Sequence, residues 1–380
     1  MQLDRRRFIT GVGMTGIAGL AGCSGGPSAS EPTDTETATD ADGGDGGDDA
    51  TDTPTETPEQ THVGMVYATG GLGDGSFNDQ AQTGVQRAAE ELGVEFQEAQ
   101  PQEVSDFSTL QQQFAGSTNP NYDLVSCIGF LQADALSENA PQYPDQNFQI
   151  VDSAVGEPNV ASYGFKEHEG SYLVGQMAGM LTTRSFSAGA GSTQSDSTNL
   201  GFVGGVESDL IRKFEAGFIA GVRAANDDID VQTNYTGSFN DPSAGQEAAL
   251  SMYDSGADVV YHASGNTGTG VFRAAQERGR FAIGVDRDQS VTRPSYQDVI
   301  LASMVKRVDN AVYNAIEAEV NGEFPGGEAV SLGLAEEGVA AVYGQQLGSE
   351  IPDDVRSEVE SSREAIIDGD ISVPSDPSNV

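Results

Sequence analysis

The chain of 380 residues is long enough for two domains, and its 37% hydrophobic content suffices for two cores once a polar stretch near the N-terminus is set aside. Its 59 acidic and 18 basic residues give a net charge of −41, which repels nucleic-acid phosphates and anionic headgroups and excludes a nucleic-acid partner. Cys23 and Cys127 are the only cysteines, so neither a disulfide framework nor a cysteine metal site is available.

The first element is an address. Arg5-Arg6-Arg7-Phe8-Ile9 precedes an apolar, glycine-rich run to Leu20 that is too short to cross a bilayer, and the run ends at Leu20-Ala21-Gly22-Cys23. This resembles a twin-arginine export signal closed by a lipoprotein cleavage box, and it predicts residues 1–23 as the signal with Cys23 as the lipidated residue. Residues 24–60 are Gly, Ser, Thr, Pro, Asp and Glu with almost no apolar side chain, an acidic disordered linker. As a coil it reaches about 30–35 Å.

From His62 the text changes to short apolar runs followed by amphipathic stretches. A strand is expected at 63–68, then a Gly-rich turn and a helix over 77–92, where Ala81, Val85, Ala88 and Leu92 recur at three- and four-residue steps. Further strands are expected at 123–130, 148–152, 200–204, 232–238, 258–263, 281–286 and 299–304, with helical patterns between most of them. This alternation implies an α/β fold of parallel sheets covered on both faces. A Gly-, Ser- and Asp-rich stretch at 185–199 interrupts it, and a fresh series starts at Leu200. The first lobe is therefore expected over 61–184 with a return segment at 299–325, and the second over 185–298. Residues 326–365 complete the lobes, and 366–380 form a flexible tail. Ligands of open α/β sheets sit beyond the carboxyl ends of the strands, so two facing lobes make a cleft.

Signs of catalysis are missing. There is no Gly-x-x-x-x-Gly-Lys-Ser/Thr loop, no Gly-x-Ser-x-Gly elbow and no His-Glu-x-x-His pair, and the histidines are only His62, His168 and His262. His168, between Glu167 and Glu169, reads as a solvated helix start, and His262 as a packed or singly hydrogen-bonded side chain. The run Gly265 to Gly270 between a strand and a helix suits an anion at a helix N-terminus or, equally, a tight turn. No catalytic residues, metal or cofactor are expected.

A set of motifs recurs in order. Gly73-Asp74-Gly75-Ser76-Phe77-Asn78-Asp79 after the first strand is followed by Gly201-Phe202-Val203-Gly204-Gly205 and Lys213-Phe214-Glu215-Ala216-Gly217-Phe218. Gly284-Val285-Asp286-Arg287-Asp288-Gln289 and Ser303-Met304-Val305-Lys306 come next. Together, over 62–321, they resemble the basic membrane lipoprotein family, the nucleoside-binding lipoproteins of ABC importers. The resemblance implies a two-lobed, type I periplasmic-binding-protein-like fold. It also implies a monomer, lipid-anchored on the extracytoplasmic face, that passes a nucleoside to ABC permease subunits.

Residue by residue, the resemblance implies that Phe77 and Phe214 sandwich a nucleobase, although Phe218 and Val222 continue the Phe214 face as an ordinary core stripe. Asn78 either meets the base edge or makes a local turn bond. Asp286 and Lys306 hold the sugar or form a plain ion pair, and Gly265 lets the backbone approach the sugar. Asp74 in the signature loop, and Phe130 and Asp152 at strand ends, complete the candidate set. Where many family members carry an acid at the end of the first strand, this chain has Ala68-Thr69. A purine nucleoside is favoured, and another nucleoside or a sugar stays open. A surface receptor feeding a signalling partner is the alternative function. Lysine occurs only at Lys166, Lys213 and Lys306, and with so many carboxylates this is the signature expected of a salt-adapted protein. Retaining one of the three at Lys306 favours a functional role there.

Overall fold

Strands rich in Val, Ile, Tyr and Phe alternate with amphipathic helices in a computed structural model that describes residues 60–194 and 197–380. The expected signal, Cys23 and all of the linker but its last residue lie outside the described residues.

The first lobe starts with β1 (His62–Val66), α1 (Phe77–Leu92), β2 (Glu95–Ala99) and α2 (Asp106–Ala115). It continues with β3 (Leu124–Ile128), α3 (Ala133–Asn139), β4 (Asn147–Val151) and β5 (Val160–Phe165). The chain then crosses into the second lobe through α4 (Glu167–Thr182), followed by a small hairpin of β6 (Ser187–Ala188) and β7 (Gly191–Ser192). β8 (Asn199–Gly204), α5 (Asp209–Ala225), β9 (Asp230–Tyr235), α6 (Pro242–Asp254) and β10 (Val259–Ala263) come next. α7 (Gly268–Arg278), β11 (Phe281–Asp286), α8 (Gln289–Thr292) and β12 (Ile300–Lys306) complete that series. α9 (Val308–Val320) and β13 (Ala329–Leu332) return to the first lobe, and β14 (Val339–Tyr343) and α10 (Asp353–Ile367) go back to the second.

The first sheet runs β13-β5-β4-β3-β1-β2, with every pairing parallel. The second runs β14-β12-β11-β10-β8-β9 and is parallel except at β14, which lies antiparallel to β12. Strands β3, β10, β11 and β12 are buried at every position, as parallel strands covered by helices on both faces must be. The carboxyl ends of the two sheets face the same cleft, which is what places the site.

Three findings correct the expected boundaries. Residues 300–306, expected to lead back into the first lobe, pair with β11 and β14 in the second sheet, and the return begins only at Arg307. A seven-residue strand buried throughout marks no crossing in its own sequence. Helix α4, expected within a first lobe ending at 184, packs along α5 of the second. The two backbones touch there, so closely that a Cβ at Gly221 would lie 2.0 Å from the Tyr172 carbonyl oxygen. The expected tail at 366–380 is packed: Ile366 is buried, Ile371 and Val373 lie against the main core, and the turn Pro377–Asn379 contacts α5.

The lobes are thus joined by three crossings, at Phe165–Glu167, Lys306–Val308 and Leu332–Val339. They lie side by side, since Lys166 N donates to the Leu332 carbonyl at 3.0 Å and Arg307 N to the Gly338 carbonyl at 2.8 Å. Three parallel straps of this kind permit bending of one lobe toward the other while resisting twist.

Candidate functional site

All nine expected ligand-binding residues line one cavity of about 660 Å³ between the strand ends of the two lobes, part of it open to solvent.

The loop after β1 is held by its own side chains. Asp74 is 3% exposed; its Oδ1 accepts from Ser76 N (2.9 Å) and Asp79 N (3.2 Å), and its Oδ2 accepts from Asn78 N (2.9 Å) and Asn78 Nδ2 (3.0 Å). These bonds satisfy orphan donors of the first turn of α1, so Asp74 builds the loop from the cavity wall. Burial still raises its carboxyl above the ordinary value, with the backbone bonds from Asn78 and Ser76 opposing. Asn78 is similarly engaged: its Oδ1 accepts from Ala68 N at 2.9 Å, which leaves one amide N–H for a ligand.

Asp152 and Asp286 occupy matching places. One follows β4 and the other ends β11, each the third strand in its sheet order, and both are non-glycine residues with positive φ, 68° and 64°. Such left-handed backbone costs a β-carbon residue of order 1–3 kcal/mol, and it aims each carboxylate back over its strand end into the cleft. Lys306, at the end of β12, donates to Asp152 Oδ2 at 2.6 Å across the lobes. Burial alone would lower the Lys306 ammonium, but the carboxylates of Asp152, Glu167 and Asp286 outweigh that and hold it above its ordinary value. Asp286 is pushed up to about 6 by burial, against the pull of Lys306 and the Ser76 hydrogen bond.

Aromatic rings surround this ammonium. Lys306 Nζ lies 4.8 Å from the centre of the Phe77 ring and 5.4 Å from those of Phe214 and Phe165. Phe77 and Phe214, from opposite lobes, therefore face one shared space, and the ring faces add cation–π attraction. Farther out, Phe130 meets Phe239 edge to face at 6.4 Å across the cleft. Gly265, at φ 56°, brings the backbone after β10 to the same wall, close beneath the Phe239 carbonyl.

A row of bonds ties the lobes at the mouth. Ser76 Oγ donates to Asp286 Oδ2 at 2.5 Å, Thr292 Oγ1 to the Gly75 carbonyl at 2.9 Å, and Arg293 Nη2 to the Gly73 carbonyl at 3.0 Å. Gly75, at φ 58°, fits beneath the Arg293 guanidinium, where a Cβ would come within 2.7 Å of Cζ.

The histidines stand apart from the cavity. His262 is buried, pairs with Gln289 Oε1 at 2.8 Å, and is lowered to about 4 by burial. Glu167, read from the sequence as part of a solvated helix start, is instead fully buried. Sequence reasoning also missed Phe165, Arg293 and Phe239. A signal for Phe239 was present: Gly-Ser-Phe-Asn-Asp occurs at 75–79, where it opens α1, and again at 237–241, immediately before α6.

The arrangement offers flat apolar faces, one ammonium and three carboxylates, of which Asp74 is spent on its own loop, with no cluster of metal-binding side chains among the described residues. It can bind a polar, ring-bearing solute.

Known proteins agree with this architecture. The family model for PnrA-like ABC transporter substrate-binding proteins, Bmp, matches residues 61–377. The chain is 38% identical over 334 residues to a CD4+ T-cell-stimulating antigen of Listeria monocytogenes, covering 83% of this chain and 88% of that protein. It is 32% identical over 346 residues to the ABC transporter nucleoside-binding protein BmpA of Lactococcus lactis, covering 86% and 92% respectively. An uncharacterized lipoprotein of Pyrococcus abyssi is 35% identical over 301 residues, covering 76% of this chain and 70% of that one. Among solved structures, an ABC transporter solute-binding protein from Aeropyrum pernix aligns with TM-score 0.74 and 32% identity, over 84% of this chain and 95% of that one. The shared architecture and the family match over most of the chain lead to one assignment: this protein belongs to the Bmp family of PnrA-like ABC transporter substrate-binding proteins.

Proposed function

We propose that the chain captures a nucleoside, with a purine nucleoside favoured, between its lobes outside the membrane and delivers it to ABC permease subunits. The observation that carries this reading is the space shared by Phe77 and Phe214, with Lys306 at its edge between Asp152 and Asp286. A heterocycle stacks between the rings, each contact contributing about 0.5–1.5 kcal/mol beyond burial. Sugar hydroxyls donate to the carboxylates and accept from the ammonium, at about 1.5–3 kcal/mol per bond. The carboxylates outnumber the ammonium in the lining and would repel a phosphate, so the unphosphorylated nucleoside fits better than a nucleotide. Attachment of the lipid at Cys23 would keep the receptor at the extracytoplasmic face, a reading supported by the relatives that carry the name lipoprotein.

Titration calorimetry of the folded protein in molar salt against adenosine, guanosine, inosine, cytidine, uridine and free ribose tests the ligand. Micromolar or tighter binding of a purine nucleoside, with ribose silent, is the expected result. Heat from ribose alone would replace the nucleoside with a sugar.

A further inference from the structure

All three lysines of the chain gather where the lobes join. Lys166 lies on the first crossing and pairs with Glu169 (3.6 Å) and Glu336 (3.7 Å); Lys306 lies on the second; Lys213 reaches in from α5. At their centre is Glu167, the first residue of α4 and 0% exposed, with Oε2 3.5 Å from Lys213 Nζ and Oε1 3.8 Å from Lys306 Nζ. Among the described residues neither carboxylate oxygen accepts a hydrogen bond. A fully buried carboxylate faced by ammonium groups at these distances is poorly stabilised as an anion, since its lost hydration is not replaced.

We propose that Glu167 is a positioning residue for the ligand site that takes up a proton when the lobes close on their nucleoside, so that affinity is tied to pH through Lys306. The inference rests on the nucleoside reading above and adds to it a linked proton.

Lys306, Lys213, Asp286 and Glu167 belong to the second lobe, whereas Asp152 belongs to the first. Opening the cleft withdraws Asp152 from Lys306 and admits water, leaving the Lys306 ammonium to Glu167 and Asp286 alone. Closing brings Asp152 to 2.6 Å, so the ammonium is shared and a further negative charge faces Glu167 in a drier setting. The other groups around it are Lys166 on the crossing just before it, His168 on its own helix, and the Tyr261 ring of β10, whose hydroxyl is paired with Ser171. His168 is lowered to about 4 by burial with Lys213 and Lys166 beside it, and so stays neutral through the range concerned.

In the closed form Glu167 is pushed up to about 7, first by burial and then by Asp152, against the pull of Lys306 and Lys213. The sign follows. A carboxyl whose closed-state value exceeds its open-state value binds its proton more tightly when closed, so closure gains from low pH. That gain disappears as pH rises to about 7, and above that affinity is flat. One linked proton changes affinity by at most about tenfold per pH unit.

Calorimetry of the full folded chain with a purine nucleoside at pH 6, in buffers of different ionisation enthalpy, counts the protons taken up. The wild type should take up a large part of one proton, and E167Q markedly less. E167Q, which imitates the protonated side chain, should match the wild type at pH 5.5, bind more tightly than it at pH 8, and show a flattened profile between. K213M should move the fall in affinity to higher pH, since it removes a charge that favours the anion. Equal proton uptake by wild type and E167Q, or a profile of unchanged slope in E167Q, overturns the inference. Absence of heat with every nucleoside would instead remove the ligand reading, and the two failures are therefore distinct.

Discussion

Replacing Lys306 by methionine is expected to cost about 3–5 kcal/mol of stability and to weaken nucleoside binding on the order of 100-fold. The side chain is 2% exposed, and Asp152, Glu167 and Asp286 converge on its ammonium. Methionine preserves the length and apolar stem, so the packing against Phe77, Phe165 and Phe214 is largely retained. What disappears is the charge that Asp152, Glu167 and Asp286 share, leaving only Lys213 beside Glu167. Their remedy is protonation, and burial has already raised Glu167 to about 7 and Asp286 to about 6. The damage should consequently be smaller at pH 5.5 than at pH 8, where the anions persist. Denaturant midpoints in molar salt at the two pH values check this, and an equal loss at both would show that the carboxylates are not the source.

The second large effect concerns Asp286, where backbone and carboxylate can be separated. Its φ of 64° is a left-handed conformation that glycine adopts freely and a β-carbon residue resists. Asp286→Gly relieves that strain while removing the acceptor, so stability should remain within about 1 kcal/mol of the parent. Nucleoside affinity should nevertheless fall about 100-fold to 10,000-fold, the value of two hydrogen bonds to a charged group. Calorimetric titration alongside thermal melting separates the two quantities. Unchanged affinity in the glycine variant would place the sugar elsewhere in the cleft.

Much of this site was legible because its residues sit at strand ends. A buried strand closed by an acid, as in Gly284-Val285-Asp286, or a loop that opens a helix with Phe77, announces a cleft-facing side chain once the α/β alternation is read. Strands without that pattern escaped. β2 carries Glu95, Gln97 and Glu98 because it is an exposed edge, and β13 is an edge of the same kind. The crossings were misplaced because β12 and α4 are buried throughout most of their length whichever lobe they join; only tertiary pairing decides. Glu167 was hidden for a different reason. In a chain with 59 acidic residues a glutamate beside a histidine and another glutamate looks like surface, and only three-dimensional packing shows that it lies beneath two lysines.

The Lys306 to Asp152 pair has a consequence for how ambient ions act on the receptor. Buried at 3% and 4% side-chain exposure, the pair is inaccessible to mobile ions while the lobes are together. At molar salt, screening extends to about 3 Å, so attraction across the open cleft vanishes until the partners almost touch. Added salt is therefore expected to weaken the approach of the lobes while leaving the buried pair itself unscreened.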